Sequence, residues 1–265
     1  MATKKQHYIP RMILKHFVLF QVPMTKPMIC QYDKEKRIER LVDIANVCKK
    51  NNLYEIRNAS NVIQDNERNV IEKLLSLLES NVDKIIRKIE HCENLGDEEQ
   101  TWMIIFITFQ LLRTPETIDF ICKWVQQVKN DAGKPLDANL IERYVKVETF
   151  LCGQKDPAEN LTFYPMLKNI ASGKHLIIYR TRSELLLNGS RPVLCFAASS
   201  IPSTSVYFFP ITPHLCLSLT SKAMPLYASL DDNITSVLNH NIFFNKGRFI
   251  YSNKCGLAKQ YDADY

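Results

Sequence analysis

Three kinds of hydrophobic spacing follow one another along the chain. In MICQYDKEKRIERLVDI, residues 28–44, β-branched and aromatic residues alternate with polar ones around a DKEKR turn. That pattern predicts a hairpin with strands at 28–33 and 37–42. Ahead of it, residues 8–20 alternate between apolar and basic positions, and QVPMTKPM supplies prolines. From Asn66 the spacing becomes helical. Ile71, Leu74, Leu75, Leu78, Val82, Ile85, Ile86 and Ile89 fall at three- and four-residue steps, with Lys and Arg in the last turns. DEEQTWMIIFITFQLLR starts with acids and ends before Thr114-Pro115, and PETIDFICKWVQQVK opens with proline in its first turn. LDANLIERYVKVETFLC predicts a fourth helix, and ENLTFYPMLKNIASG a fifth that stops at Gly173.

After Gly173 the apolar runs shorten. HLIIYRT, ELLLN, RPVLCFAA, SVYFFPIT and HLCLSLTS are bounded by turns and predict a mostly antiparallel sheet. DDNITSVLNHNIFFNKGRFIYS is expected to close the fold as a helix capped by Asp231 or Asp232. Segregated runs of helix and strand point to an α+β fold. With no linker or repeat visible, residues 1–265 are expected to form one domain with a helical lobe at about 66–172.

Composition narrows the class. The 265 residues are 46% hydrophobic and 23% charged, which excludes disorder, collagen and coiled coil for the bulk of the chain. A chain of this size buries about 70–75% of its unfolded surface and needs no staples. Eight cysteines without a CxxC pair, several of them inside apolar runs, read as reduced thiols packed as small hydrophobes. The basic N-terminus is broken by Arg11, Lys15 and His16, unlike a signal peptide, and no apolar run approaches the length of a membrane span. A cytoplasmic protein is expected. The net charge of +6 permits contact with nucleic acid without requiring it.

Several short patterns carry a resemblance when read together. His7, Tyr8, Pro10, Leu14 and Phe17 spell HYxPxxxLxxF. Tyr32-Asp33 follows, then Ile71, Glu72, Leu75, Ser76 and Glu79 as IExxLSxxE. Gln110, Arg113, Thr114 and Pro115 form QxxRTP, Phe209, Pro210 and Pro213 form FPxxP, and Asn241 comes late. In that order the patterns resemble a bacterial family of uncharacterised proteins, the domain of unknown function 4238. The resemblance implies a fold and a set of positions rather than an activity. One departure concerns a Ser-Asp-x-Pro turn that family members tend to carry. Here the stretch reads NGSRPV, with Pro192 kept and Ser190 where the Asp would lie.

These positions hold the candidate chemistry. His7 can act as a general base or metal ligand, or simply bond to backbone at a strand start beside a packed Tyr8. Arg11 and Lys15 extend a basic strip able to approach phosphate. Glu72 and Glu79 share a helix face but stand about 10 Å apart along the axis, too far for a tight dyad. One of them can pair with His7 or Arg113, or both can lie on a salt-bridged face. Gln110 and Arg113 are neighbours on an apolar helix and must find partners. Arg113 then makes either a bridge to Glu72 or an anion site. Asn188, Ser190 and Arg191 form a polar turn that can present ligand groups, and Asn241 can reach the same cleft. A divalent cation such as Mg would need Glu72 with Glu79 or Asp33.

Two functions fit these residues. The first is a nuclease, or another enzyme acting on phosphate esters, of the phage-defence or toxin kind. His7 would be base or ligand, Glu72 or Glu79 would hold water or metal, and Arg113 would stabilise phosphate charge. The second is a non-catalytic module that binds a partner or nucleic acid, with the same residues forming a structural network.

Overall fold

The computed structural model describes residues 5–19, 26–58, 60–63, 67–151, 170–197 and 205–262. The architecture is α+β. Strand β1 (Lys5–His7) leads into the short helix α1 (Arg11–His16). The hairpin strands are β2 (Met28–Asp33) and β3 (Ile38–Asp43), one residue later in the second arm than the alternation suggests. Strand β4 (Lys49–Asn51) returns to pair antiparallel with β1, His7 lying opposite Lys49. Four helices follow: α2 (Val70–Glu90), α3 (Asp97–Leu112), α4 (Pro115–Asp131) and α5 (Ala138–Lys146), the last running on into a π turn at Val147–Leu151. Asn69, left-handed at φ 57°, starts α2. The fifth predicted helix falls largely outside the described residues; its predicted stop, Gly173, does turn the chain at φ +66°.

The second half builds a five-stranded sheet in the order β10-β5-β9-β8-β7, from β5 (His175–Thr181), β7 (Leu194–Phe196), β8 (Val206–Thr212), β9 (Leu215–Thr220) and β10 (Tyr227–Leu230). Only the β10–β5 pair is parallel. Strand β10 was not apparent from the spacing, and the predicted strand ELLLN shrinks to β6 (Asn188–Gly189). Glu184 and Leu187 are tied instead to Asp232 and Asn239 by their backbone N–H groups, so that stretch has no strand ladder.

The closing helix also needs correction. Capped by Asp231, whose carboxylate accepts from the Ile234 N–H at 2.8 Å, α6 (Asp232–Phe244) ends well before RFIYS. Gly247 then passes so close to Ser190 and Arg191 that a Cβ would meet the Ser190 Oγ at 2.6 Å. Beyond it, β11 (Phe249–Ser252) enters a four-stranded sheet in the order β3-β2-β11-β6. That sheet joins the early hairpin to the end of the chain.

The largest core lies between the helices and the five-stranded sheet. Ile13, Leu14 and Phe17 of the N-terminal segment, Val82, Ile86 and Ile89 of α2, and Met103 and Phe106 of α3 pack with Phe209 and Leu217 of the sheet. Because α3 is sandwiched, it is apolar on nearly every side. No described helix is long and apolar enough to cross a membrane.

Not all cysteines are reduced thiols, contrary to the expectation from spacing. Cys30 and Cys255, 225 residues apart, form a disulfide. Their separation hides the pair from any local pattern. Cys48, Cys92, Cys122, Cys195 and Cys216 are free.

Candidate functional site

At the C-terminal end of α3 the arginine of QxxRTP is 2% exposed and bonded at each of its three guanidinium nitrogens. Its Nη1 donates to Glu79 Oε1 at 2.7 Å, its Nη2 to the His7 carbonyl at 2.7 Å, and its Nε to the Tyr54 hydroxyl at 3.1 Å. Tyr54 in turn donates to the Arg113 carbonyl at 3.0 Å. Burial works against the Arg113 charge, but Tyr54 and Glu79 more than restore it. One turn earlier, Gln110 donates from Nε2 to the Tyr8 carbonyl at 2.7 Å. Strand β1 and the residue after it are therefore stapled to α3 by their backbone carbonyls. The partner of Arg113 is Glu79 rather than Glu72.

A second set of bonds continues the cluster. Buried Gln6 gives its Nε2 to Glu55 Oε1 at 3.1 Å and accepts the Tyr54 N–H at 2.7 Å. Glu55 also accepts the Asn69 N–H at 3.2 Å, and its carbonyl accepts from buried Lys146 at 2.9 Å. Four elements, β1, α2, α3 and α5, thus meet at the segment Leu53–Arg57, which has no regular secondary structure of its own. Loops that hold buried polar groups must bond them this fully, because each unpaired one costs about 1–3 kcal/mol.

Nine described side-chain atoms break the rule, and three of them belong to the predicted residues around this cluster. His7 Nε2, Glu72 Oε2 and Gln110 Oε1 are buried without a protein partner. Burial, helped by Arg11, Lys49 and Arg113, lowers the His7 pKa to about 4. Glu72 moves the other way: burial pushes it up to about 7, with Glu79 and Glu55 adding to the rise and Arg113 opposing it. Burial thus displaces the two groups in opposite senses, favouring the neutral imidazole of His7 and the protonated carboxyl of Glu72.

A family model matches this architecture from its first strand to the end of β11. It is that of the protein of unknown function DUF4238, and it spans residues 5–255. The chain belongs to this family. No curated protein and no solved structure matches it.

Within this DUF4238 protein the remaining predicted residues each have partners of their own outside the Arg113 cluster or face solvent. Arg11 is exposed on α1. Arg191 shares a crevice of about 10 Å³ with Gln110, room for about one water. Asn188 is buried and donates to the Pro210 carbonyl at 3.0 Å. Ser190 accepts the Phe249 N–H at 3.2 Å. Asn241 is half-buried on α6 and bonds back to the Val237 carbonyl at 2.7 Å. Asp33 is held by Arg248 through two bonds of 3.0 and 2.7 Å, and so is spoken for as a magnesium ligand. His7, Glu72 and Glu79 do not form a ligand trio: among the described residues, the one group of three with ligand atoms within 4.8 Å of one another is Cys30, Glu39 and Cys255.

An open cavity of about 450 Å³ lies elsewhere, and none of the predicted residues lines it. It runs between α4, α5 and the segment Lys50–Leu53 with Arg57. Lys50, Arg57, Lys123 and Lys146 face Asp119 and Glu142 around a floor that includes Leu53, Ile118 and Ile141. Lys123 is paired with Asp119 at 2.8 Å, and Lys146 with Glu142 at 2.6 Å. Beside the groove, on the next face of α4, Phe120 and Trp124 are 67% and 58% exposed. Sequence reasoning missed this site because its parts come from three separate stretches. The one available signal was Lys146, a lysine set among Ile141, Val145 and Phe150 on an otherwise apolar helix face.

Proposed function

We propose that the protein is a non-catalytic module that binds single-stranded nucleic acid along the α4–α5 groove. The conspicuous family residues, on this reading, are the frame that holds the groove wall in place. One observation carries it: all three guanidinium nitrogens of Arg113 are spent on Glu79, Tyr54 and the His7 carbonyl. Each nitrogen is already held by a protein acceptor and the side chain is 2% exposed, so the residue best suited to an anion is a strut. The groove supplies what such a ligand needs. Its lining has four cations against two carboxylates, and Phe120 with Trp124 offers flat faces one helical turn apart on which bases can stack.

The partnerless Nε2 of His7 and Oε2 of Glu72 favour a second reading, a nuclease with a shifted acid–base pair. One experiment decides between them. Purified protein is mixed with fluorescent single-stranded RNA and DNA, with and without magnesium or manganese, and anisotropy and cleavage are followed together. The binding reading expects salt-sensitive binding, quenching of tryptophan fluorescence and intact oligonucleotide. Cleavage that disappears in His7→Ala hands the function to the nuclease reading. Absence of both binding and cleavage removes both.

A further inference from the structure

On the far side of the early hairpin a different chemistry is assembled. We propose that Cys30, Glu39 and Cys255 form a thiol-gated site for a thiophilic divalent cation such as zinc. The two sulfurs are bonded to each other in the oxidised protein. Once reduced, they serve as two thiolate ligands beside the Glu39 carboxylate.

Strand register brings the three together. Cys30 lies opposite Leu41 and Glu39 opposite Tyr32 in the β2–β3 ladder, so the two side chains share a face two steps apart. On the other edge of β2, Ser252 lies opposite Cys30, and the chain reaches Cys255 three residues later. All three ligand atoms fall within 4.8 Å of one another. Four-coordinate zinc, with ligands at about 2.0–2.3 Å, needs a cluster of this size. Gly256, left-handed at φ +83°, gives its N–H to both Glu39 oxygens at 2.9 and 3.1 Å. That bond fixes the carboxylate beside Cys255, as outer-shell donors orient metal ligands. Cys30 is buried and Cys255 exposed, which leaves the fourth position open to water.

The rest of the chain makes a purely structural disulfide the poorer account. Among the described residues five cysteines are free, the exposed Cys92 and Cys195 among them, which is not the pattern of a disulfide scaffold. Beside a disulfide the Glu39 carboxylate holds the Gly256 N–H; beside two thiolates it also completes a ligand set. Sulfur ligands also select against magnesium, which requires oxygen. The redox step balances with an external dithiol or phosphine. Reduction delivers two electrons and two protons to the sulfurs, oxidising a dithiol to its disulfide or a phosphine to its oxide with water as the oxygen source. Metal binding then releases the two thiol protons to solvent.

The test uses the full chain, reduced with a phosphine, freed of it under argon and titrated with cobalt(II) as a spectroscopic probe. The expected result is one equivalent bound with a thiolate-to-cobalt charge-transfer band that zinc bleaches. The thiol count should rise by two on reduction, and a thiol oxidant should abolish binding until reductant is restored. Cys255→Ser, at an exposed position, should fold normally by circular dichroism and lose the band, and Glu39→Gln should bind at least tenfold more weakly. A reduced wild type with no charge-transfer band overturns the proposal. So does an undiminished band in Cys255→Ser, or a thiol count unchanged by reductant.

Discussion

The Arg113 cluster and the α4–α5 groove are built on the same five residues, Leu53–Arg57, yet they treat charge in opposite ways. Tyr54 and Glu55 turn inward, and their side chains bond to other parts of the chain. Leu53 and Arg57 turn outward and line an open space. In the cluster, charge is matched and sealed. In the groove, cations outnumber carboxylates and two of the four cations already hold a partner on the same helix. Burial of a charged group thus marks the framework here, and the residues that look most chemical in the sequence are those that hold it up.

The sharpest way to break this comparison is to remove the strut. Arg113→Met should cost about 3–5 kcal/mol in urea unfolding, since Glu79, Tyr54 and the His7 carbonyl lose their common donor. A loss below about 1 kcal/mol would show that the cluster does not bear the fold. Gln6→Ala should follow at about 1–3 kcal/mol, because it strands Glu55 and the Tyr54 N–H in a buried place.

Smaller effects come from the two displaced pKa values. Glu72, raised to about 7, makes folding favour its protonated form, so its contribution to stability is full below the ordinary carboxylate range and declines as pH rises towards 7. His7, lowered to about 4, acts in the opposite sense: stability falls as pH drops from its ordinary value near 6.5 towards 4. Between these limits the slopes oppose each other. Glu72→Gln should therefore stabilise the protein at pH 8 by about 1 kcal/mol, discounted for partial exposure, and leave it unchanged at pH 4. An equal gain at both pH values would rule out ionisation as the cause. Smallest in stability is the groove itself. Lys50→Glu combined with Arg57→Glu should shift unfolding by no more than about 0.5 kcal/mol while weakening oligonucleotide binding about tenfold. A large loss of stability with unchanged binding would reverse the roles of the two regions.

The hairpin, α2, α3 and α4 were legible because each carries its own period and its own stop signal. The Asp-Lys-Glu-Lys-Arg turn, the acids ahead of α3 and Pro115 are local features, and local features fix local structure. Strand β11 was read as helix because NIFF and RFIYS continue one apolar spacing. Only the close passage of Gly247 against Ser190, a contact between distant segments, forces the break. The site divides along the same line. His7, Gln110 and Arg113 stood out as polar residues in apolar or family patterns, but the choice of Glu79 over Glu72 as the arginine's partner depends on how α2 lies against α3. Gln6, Tyr54 and Glu55 gave no signal, since most of their partners are 47 to 91 residues away. The Cys30–Cys255 pair was invisible for the same reason.

Strand β11 slots between β2 and β6, so an early hairpin gains its neighbour only when the last part of the chain arrives. During synthesis on a ribosome, β2 therefore waits with one row of amides and carbonyls unmatched through most of translation. An open edge of that kind invites pairing with the wrong strand or with another nascent copy. Production of this protein should thus respond more to chaperone supply and to the rate of elongation than its final stability would suggest. A tag or truncation that disturbs residues 249–252 should lower the soluble yield more than one placed at the other terminus.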